Sequence, residues 1–319
     1  PPPTLAPSPS EDVPTALDDA FDEPHPHPLV DQADIRPGWP PPDGIPPVDE
    51  PVFESVAAID WLEDVEPVIV LDIDGDVRAY PLQIMTWHEI VNDTVGEVPV
   101  TVTYCPLCNS AVAFDRRSAD RVLDFGTSGR LYNSSLVMYD RQTESLWTHF
   151  DGTAVVGHLT GTELERLPVT TVSWADYRAA HPDGLVLSRD TGVERDYGRN
   201  PYPGYDDVGT APFLFDGVVD DRLAAKERVV VIRAEDETEA VVLDGLLDTR
   251  VLDETVGGEP TVFLLEPGTS SALAAGSMAG GRDVGAVGVF SPEVDGDVLT
   301  FEPADDGGFV DEATGSTWD

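Results

Sequence analysis

The chain is nearly devoid of lysine. Lys226 is the only one in 319 residues, and 18 Lys+Arg stand against 61 Asp+Glu, for a formal charge of -43. This lack of cations excludes a nucleic-acid backbone or an anionic membrane surface as partner, because both need a basic footprint. Long apolar runs are missing too, and none approaches the ~18 residues that a membrane-spanning helix requires. There is no nucleophile elbow, P-loop, dinucleotide-binding glycine pattern or paired zinc knuckle, so no nucleotide cofactor is expected. Cysteine is reduced to two residues, Cys105 and Cys108.

What remains is enough to fold. Apolar residues make up 41% of the chain and recur in short runs that can bury one or two cores. The acid excess has a physical reading. Carboxylates that repel one another in dilute salt lose most of that repulsion near 1 M, where the Debye length falls to ~3 Å. The composition resembles that of halophilic archaeal proteins.

The chain opens on prolines, small polar residues and acids, without a starting Met. Residues 1–45 therefore read as an extended acidic tether, of the kind left behind a cleaved secretory or lipoprotein signal. The expected location is extracellular or at the cell surface, lipid-anchored through that tether. Two glycosylation sequons, at Asn92 and Asn133, fit an exported protein. His25 and His27 sit in the tether, where two histidines more often bind nothing.

An internal match shifted by 161 residues runs without a gap. Residues 68–114 align with 229–275, pairing Ala79 with Ala240, Leu82 with Leu243, Gly96 with Gly257 and Pro106 with Pro267. It resumes where Asp140, Thr143 and Trp147 correspond to Asp311, Thr314 and Trp318. The implied architecture is two related units in tandem, a pseudo-two-fold internal repeat. The first unit spans 46–225; the second, 226–319, is degenerate and stops just after its counterpart of Trp147, so the natural chain is expected to continue by about another 40 residues, including an aromatic helix.

Each unit begins with a strand around 68–71, a turn at Asp74 and Gly75, and a second strand ending at Tyr80. Pro81 then opens a helix over 82–91, closed by Gly96 and followed by a buried strand over 98–104. Further strands are expected at 111–114, 122–125 and 136–139, with a short helix over 174–181. The fold class is mainly β with a few short helices, α+β rather than doubly wound. Met85 and Met138 are expected in the core.

Reactive side chains occur only in the first unit. His88 and Glu89 lie on the expected helix, and Cys105-Pro106-Leu107-Cys108 ends the buried strand. The second unit has Thr249, Arg250, Glu266 and Thr269 at those places.

These stretches carry a resemblance. Trp87 to Asp93, Tyr104 to Asp115, Phe125 to Asn133, Met138 to Trp147, Arg195 to Tyr197 and the pair Pro201-Tyr202 are similar to the domain-of-unknown-function family numbered 3179. Its members include many haloarchaeal and bacterial proteins with export signals. The resemblance covers roughly residues 46–319 and implies fold and location rather than an activity.

Two cysteines spaced by two residues can aim both sulfurs at one metal ion, as zinc knuckles do. His88 is the expected third ligand, with Glu89 or Asp140 nearby, and thiolates with imidazole suit Zn or Cu. A redox dithiol and an inert disulfide remain open as alternatives. A non-enzymatic cell-envelope module is the competing class of function. Ser128, Tyr132, Asn133, Ser134, Asp140 and Arg141 are candidates to line a cleft. Arg195, Asp196 and Tyr197 read as a buried ion pair with a stacked aromatic, and His149 and His158 as unremarkable.

Overall fold

The structure, a computed structural model, describes residues 26–318 apart from 39, 119–120, 234–237, 244 and 305–306. It is mainly β, with three short α-helices among the described residues. No helix is long and apolar enough to cross a membrane. His25 and the tether over 1–25 lie outside the described residues.

Three sheets make up the part of the chain that carries the cysteines. In the first, strand Pro67–Ile73 pairs with Asp76–Pro81 across the tight turn at Asp74 and Gly75, and strands Thr170–Ser173 and Leu185–Leu187 flank the pair. Val68, Ile69 and Leu71 are fully buried, which explains a run of consecutive β-branched residues. The second sheet orders Arg166–Leu167, Ser110–Asp115, Val98–Cys105 and Ile90–Val95. The third begins with Ile35–Pro37 and continues through Phe125–Tyr132, Ser135–Asp140, Leu146–Thr148 and Ala154–Val156. Residues Ile35–Pro37, inside the stretch expected to be extended and unpaired, thus form an edge strand. Ile35 is buried against Val137 and Tyr139, and the Gly38 amide donates to the Gly129 carbonyl at 2.7 Å.

The helix expected over 82–91 is shorter. It runs Leu82–His88 and stops when Glu89 turns to φ 60. Ile90 then begins a strand that pairs with Thr103, and Gly96 (φ 52) with Glu97 (φ 67) forms the hairpin turn to Val98–Cys105. Successive left-handed residues match the twist of a two-residue hairpin. β-branched Ile90 and Val91 gain more from pairing there than from a last helical turn. The helix Trp174–Ala180 forms as expected, capped by the Ser173 hydroxyl accepting from the Asp176 amide at 3.1 Å.

The second run repeats this element order. Strands Val229–Arg233 and Thr238–Val242 are followed by helix Leu246–Thr249, then strands Val251–Val256, Glu259–Glu266 and Ala286–Phe290. The helix again ends on a residue with positive φ, Arg250 at 61°. Ala272 and Met278 from this run pack into the core of the first, beside Val48, Ile69 and Met85. Met85 and Met138 are fully buried, as expected.

Candidate metal centre

Strand Val98–Cys105 turns back into Ser110–Asp115 through the Cys-Pro-Leu-Cys knuckle. The Cys108 amide donates to the Cys105 carbonyl at 3.2 Å, and the Asn109 amide to the Pro106 carbonyl at 3.3 Å. Asn109 takes φ 48, a conformation that asparagine tolerates better than most residues. Its Oδ1 accepts from the Tyr104 hydroxyl at 2.9 Å. Both cysteines are free thiols.

The third member of the group is His149. It follows strand Leu146–Thr148, whose Thr148 pairs with Val137 on Ser135–Asp140, and the Leu136 amide on that neighbouring strand donates to the Cys105 sulfur at 3.4 Å. A ligand atom each from Cys105, Cys108 and His149 all lie within 4.8 Å of one another. Among the described residues no other such group of three exists. Gly152 (φ 66) closes the turn after His149, where a Cβ would stand 2.5 Å from the Phe114 ring.

Asp140 anchors this arm. Its carboxylate accepts from the Thr143 amide at 2.6 Å, the Thr143 hydroxyl at 2.8 Å and the Trp147 indole at 2.9 Å. With its oxygens so used, Asp140 is a brace for the strand that delivers His149 and not a ligand.

His88, the expected third ligand, is held elsewhere. Its Nδ1 donates to the Pro46 carbonyl at 2.7 Å, so Nε2 accepts from the Tyr197 hydroxyl at 2.6 Å. The reason is the early end of the helix. It is Glu89, not His88, that lies opposite Tyr104, whose amide donates to the Glu89 carbonyl at 2.8 Å. Tyr197 is accordingly no part of a buried ion pair; Asp196 meets Arg199 at 3.7 Å on the surface. Arg141 bridges Asp43 and Asp49, and the Ser128 hydroxyl bonds the Val137 carbonyl. Asn92 is buried, its Nδ2 donating to Asp49 and to the Phe125 carbonyl at 2.8 Å each, so the first sequon is closed to a glycan.

Burial and local contacts set the three donors apart. Burial pushes the Cys105 thiol well up, while its S–H donates towards Cys108 and lowers that thiol in turn. The Ser110 and Ser135 hydroxyls face the Cys108 sulfur and lower it further, although neither makes a hydrogen bond of good geometry. Burial and the Arg166 charge hold His149 down at about 3. Its ring is neutral, as a ligand must be, and both of its buried nitrogens lack a hydrogen-bond partner. Buried imidazole nitrogens without partners are costly unless something else takes them. A pocket of about 170 Å³ lined by Tyr132, Asn133, Ser135, Leu136, Thr148, His149, Phe150 and Asp151 opens beside the group. Tyr132 and Asn133 from the expected cleft set are among its walls.

Sequence reasoning missed His149 because neither spacing nor neighbours tie it to the cysteines. The nearest signal was its position two residues after Trp147, the end of the Asp140 motif.

A mainly-β protein with a Cys₂His cluster at a hairpin knuckle is the class that fold and site define. The chain belongs to the family described as Protein of unknown function (DUF3179), whose model matches residues 42–319. No curated protein and no solved structure matches it.

Proposed function

We propose that the protein binds one transition-metal ion through the sulfurs of Cys105 and Cys108 and one ring nitrogen of His149. The observation that carries this reading is the convergence of three donor atoms within 4.8 Å on a fully buried imidazole that has no other partner. Two thiolates with an imidazole suit zinc or copper, and three protein ligands leave a fourth position for a small molecule. Such an ion supplies Lewis acidity to whatever fills that position. Cys108 already has a lowered thiol pKa, and the neutral His149 has no proton to lose before coordinating.

The test is metal analysis of the full chain purified in high salt without chelator. About one zinc or copper per chain is expected in the wild type, falling to background in Cys108→Ser and sharply in His149→Ala. A wild type that holds no metal when supplied with either ion overturns the reading.

The unequal thiols favour one alternative, a redox dithiol in which Cys108 is the attacking sulfur. Reversible disulfide formation in a metal-free wild type would support it.

We further infer that the second run is a degenerate copy of the first, with units over 46–225 and 226–319. Shared element order and positive-φ helix ends support this. So does the Asp311 carboxylate, which accepts from the Thr314 amide and hydroxyl at 2.7 Å each and from the Trp318 indole at 3.2 Å. The carboxylate excess and single lysine support a high-salt habitat in a haloarchaeon, and the acidic leading segment supports export to the cell surface.

A further inference from the structure

The pocket of about 170 Å³ beside the cysteine knuckle ends on polar atoms that have no partner. At its inner end His149 is fully buried with both ring nitrogens unbonded, and the Oγ of Ser135 is buried and unbonded as well. At its outer end stand Phe150, 44% exposed, and the exposed Asp151. A metal ion takes up one nitrogen of His149 and leaves the Ser135 hydroxyl bare. Buried hydroxyls are hydrogen-bonded as a rule.

The chain on either side of Ser135 fixes where that hydroxyl sits. Asn133 and Ser134, at φ 49 and 67, form the tight turn into strand Ser135–Asp140, as two-residue hairpins require. The Ser134 carbonyl lies 3.9 Å from the Cys108 sulfur, and the Leu136 amide donates to the Cys105 sulfur at 3.4 Å. Ser135, between the two, is held over the knuckle. Leu136 and His149 are themselves walls of the pocket, so pocket and donor cluster form one site.

The walls define what fits. An apolar cavity of about 150 Å³ holds a benzene molecule, so about 170 Å³ admits one ring with a short substituent. Leu136, Tyr132 and the Phe150 ring give it apolar and aromatic sides, which suit a flat ring. No Arg or Lys lines it among the described residues. Two thiolates already balance a divalent ion, so a carboxylate buried there would find no further charge partner. At the inner end a carbonyl oxygen meets both needs, with one lone pair for the ion and one for the Ser135 hydroxyl. Unlike a hydroxyl, it brings no proton that needs an acceptor of its own.

Resting on the metal reading of the same site, we propose that this pocket binds a neutral single-ring molecule with a carbonyl group at one end. The carbonyl oxygen fills the fourth position of the Cys105–Cys108–His149 centre and accepts a hydrogen bond from Ser135. The ring lies along Leu136 and Phe150, and its far edge faces the mouth at Asp151.

The experiment uses the full chain in high salt, loaded with cobalt(II), whose visible absorption reports the coordination sphere, and benzamide as the probe. The wild type should take up cobalt and shift its spectrum saturably with benzamide. Phe150→Ala, a change at an exposed ring, should keep its cobalt and bind benzamide about fivefold more weakly, the worth of about one aromatic contact. Ser135→Ala should also keep its cobalt and lose about fivefold to tenfold, the worth of about one hydrogen bond. Benzoate, the same ring with a charged end, should bind about tenfold more weakly than benzamide. A benzamide affinity unchanged in both variants overturns the proposal, because the probe then binds elsewhere. Benzoate binding as tightly as benzamide overturns the neutral class. Cobalt uptake without any benzamide response in the wild type overturns the proposal and leaves the metal reading standing. No cobalt uptake by the wild type removes the metal reading, and this proposal with it.

Discussion

The Leu136 amide donates to the Cys105 sulfur at 3.4 Å, tying the cysteine knuckle to the strand beside the one that delivers His149. The candidate centre is thus assembled from two sheets, with the cysteines on one and the histidine at a strand end of the other. Each half is braced separately: the knuckle by Asn109 and Tyr104, the histidine arm by Asp140 and Trp147.

This arrangement separates the two histidines experimentally. His149→Ala should cut metal affinity at least tenfold while leaving the fold largely intact, as loss of one of three ligands does. His88→Ala should leave metal content unchanged but destabilise the protein by roughly 2–4 kcal/mol, since it opens a cavity and takes the donor from the Pro46 carbonyl, while the Tyr197 hydroxyl keeps Thr191 as a partner. Metal analysis beside chemical denaturation distinguishes the two. Metal loss in the His88 variant with retention in the His149 variant would restore the ligand set expected from sequence.

The braces should differ in weight. Asp140 serves Trp147, which is fully buried, whereas Asp311 serves Trp318, which is 39% exposed. Asp140→Ala leaves a buried indole N–H and a backbone amide without acceptors, at about 1–3 kcal/mol each. It should lower the melting temperature by more than Asp311→Ala does, and it should also reduce metal content by loosening His149. Equal shifts from both variants would contradict this.

Stability of the metal-free protein should depend on pH through Glu89. Its folded pKa of about 8 exceeds the ordinary carboxylate value of about 4.3. The folded state therefore holds a proton that the unfolded state releases above pH ~4–5, and stability falls as pH rises from there to about 8. Glu89→Gln removes this loss. In chelator, its melting temperature should exceed the wild type's at pH 8 and approach it near pH 4. A gap that is constant between the two pH values would count against a buried neutral acid.

Salt should act on the whole chain. With a formal charge of -43, lowering salt from molar to ~0.1 M lengthens the Debye length to ~10 Å and restores carboxylate repulsion. The melting temperature followed by circular dichroism should fall steadily across that range. A flat profile would refute a high-salt adaptation.

The sequence by itself determined the element types and the knuckle. Runs such as Val68 to Leu71 are buried strands because their side chains fill both faces of a sheet, and Ser173 ahead of Trp174 caps a helix through bonds within a few residues. Cys105 and Cys108 likewise sit on one turn, so their spacing alone brings the sulfurs together. These are local effects, and local sequence encodes them. Tertiary structure decided the third member of the cluster. Where helix Leu82–His88 stops depends on Ile90 and Val91 finding Val98–Cys105 as a partner, and that pairing sets the Glu89 carbonyl opposite the Tyr104 amide and leaves His88 to Pro46 and Tyr197. His149 reaches the site only because its strand packs in a second sheet whose neighbouring strand meets Cys105. Contacts between sheets depend on how whole surfaces fit, and no spacing along the chain records them.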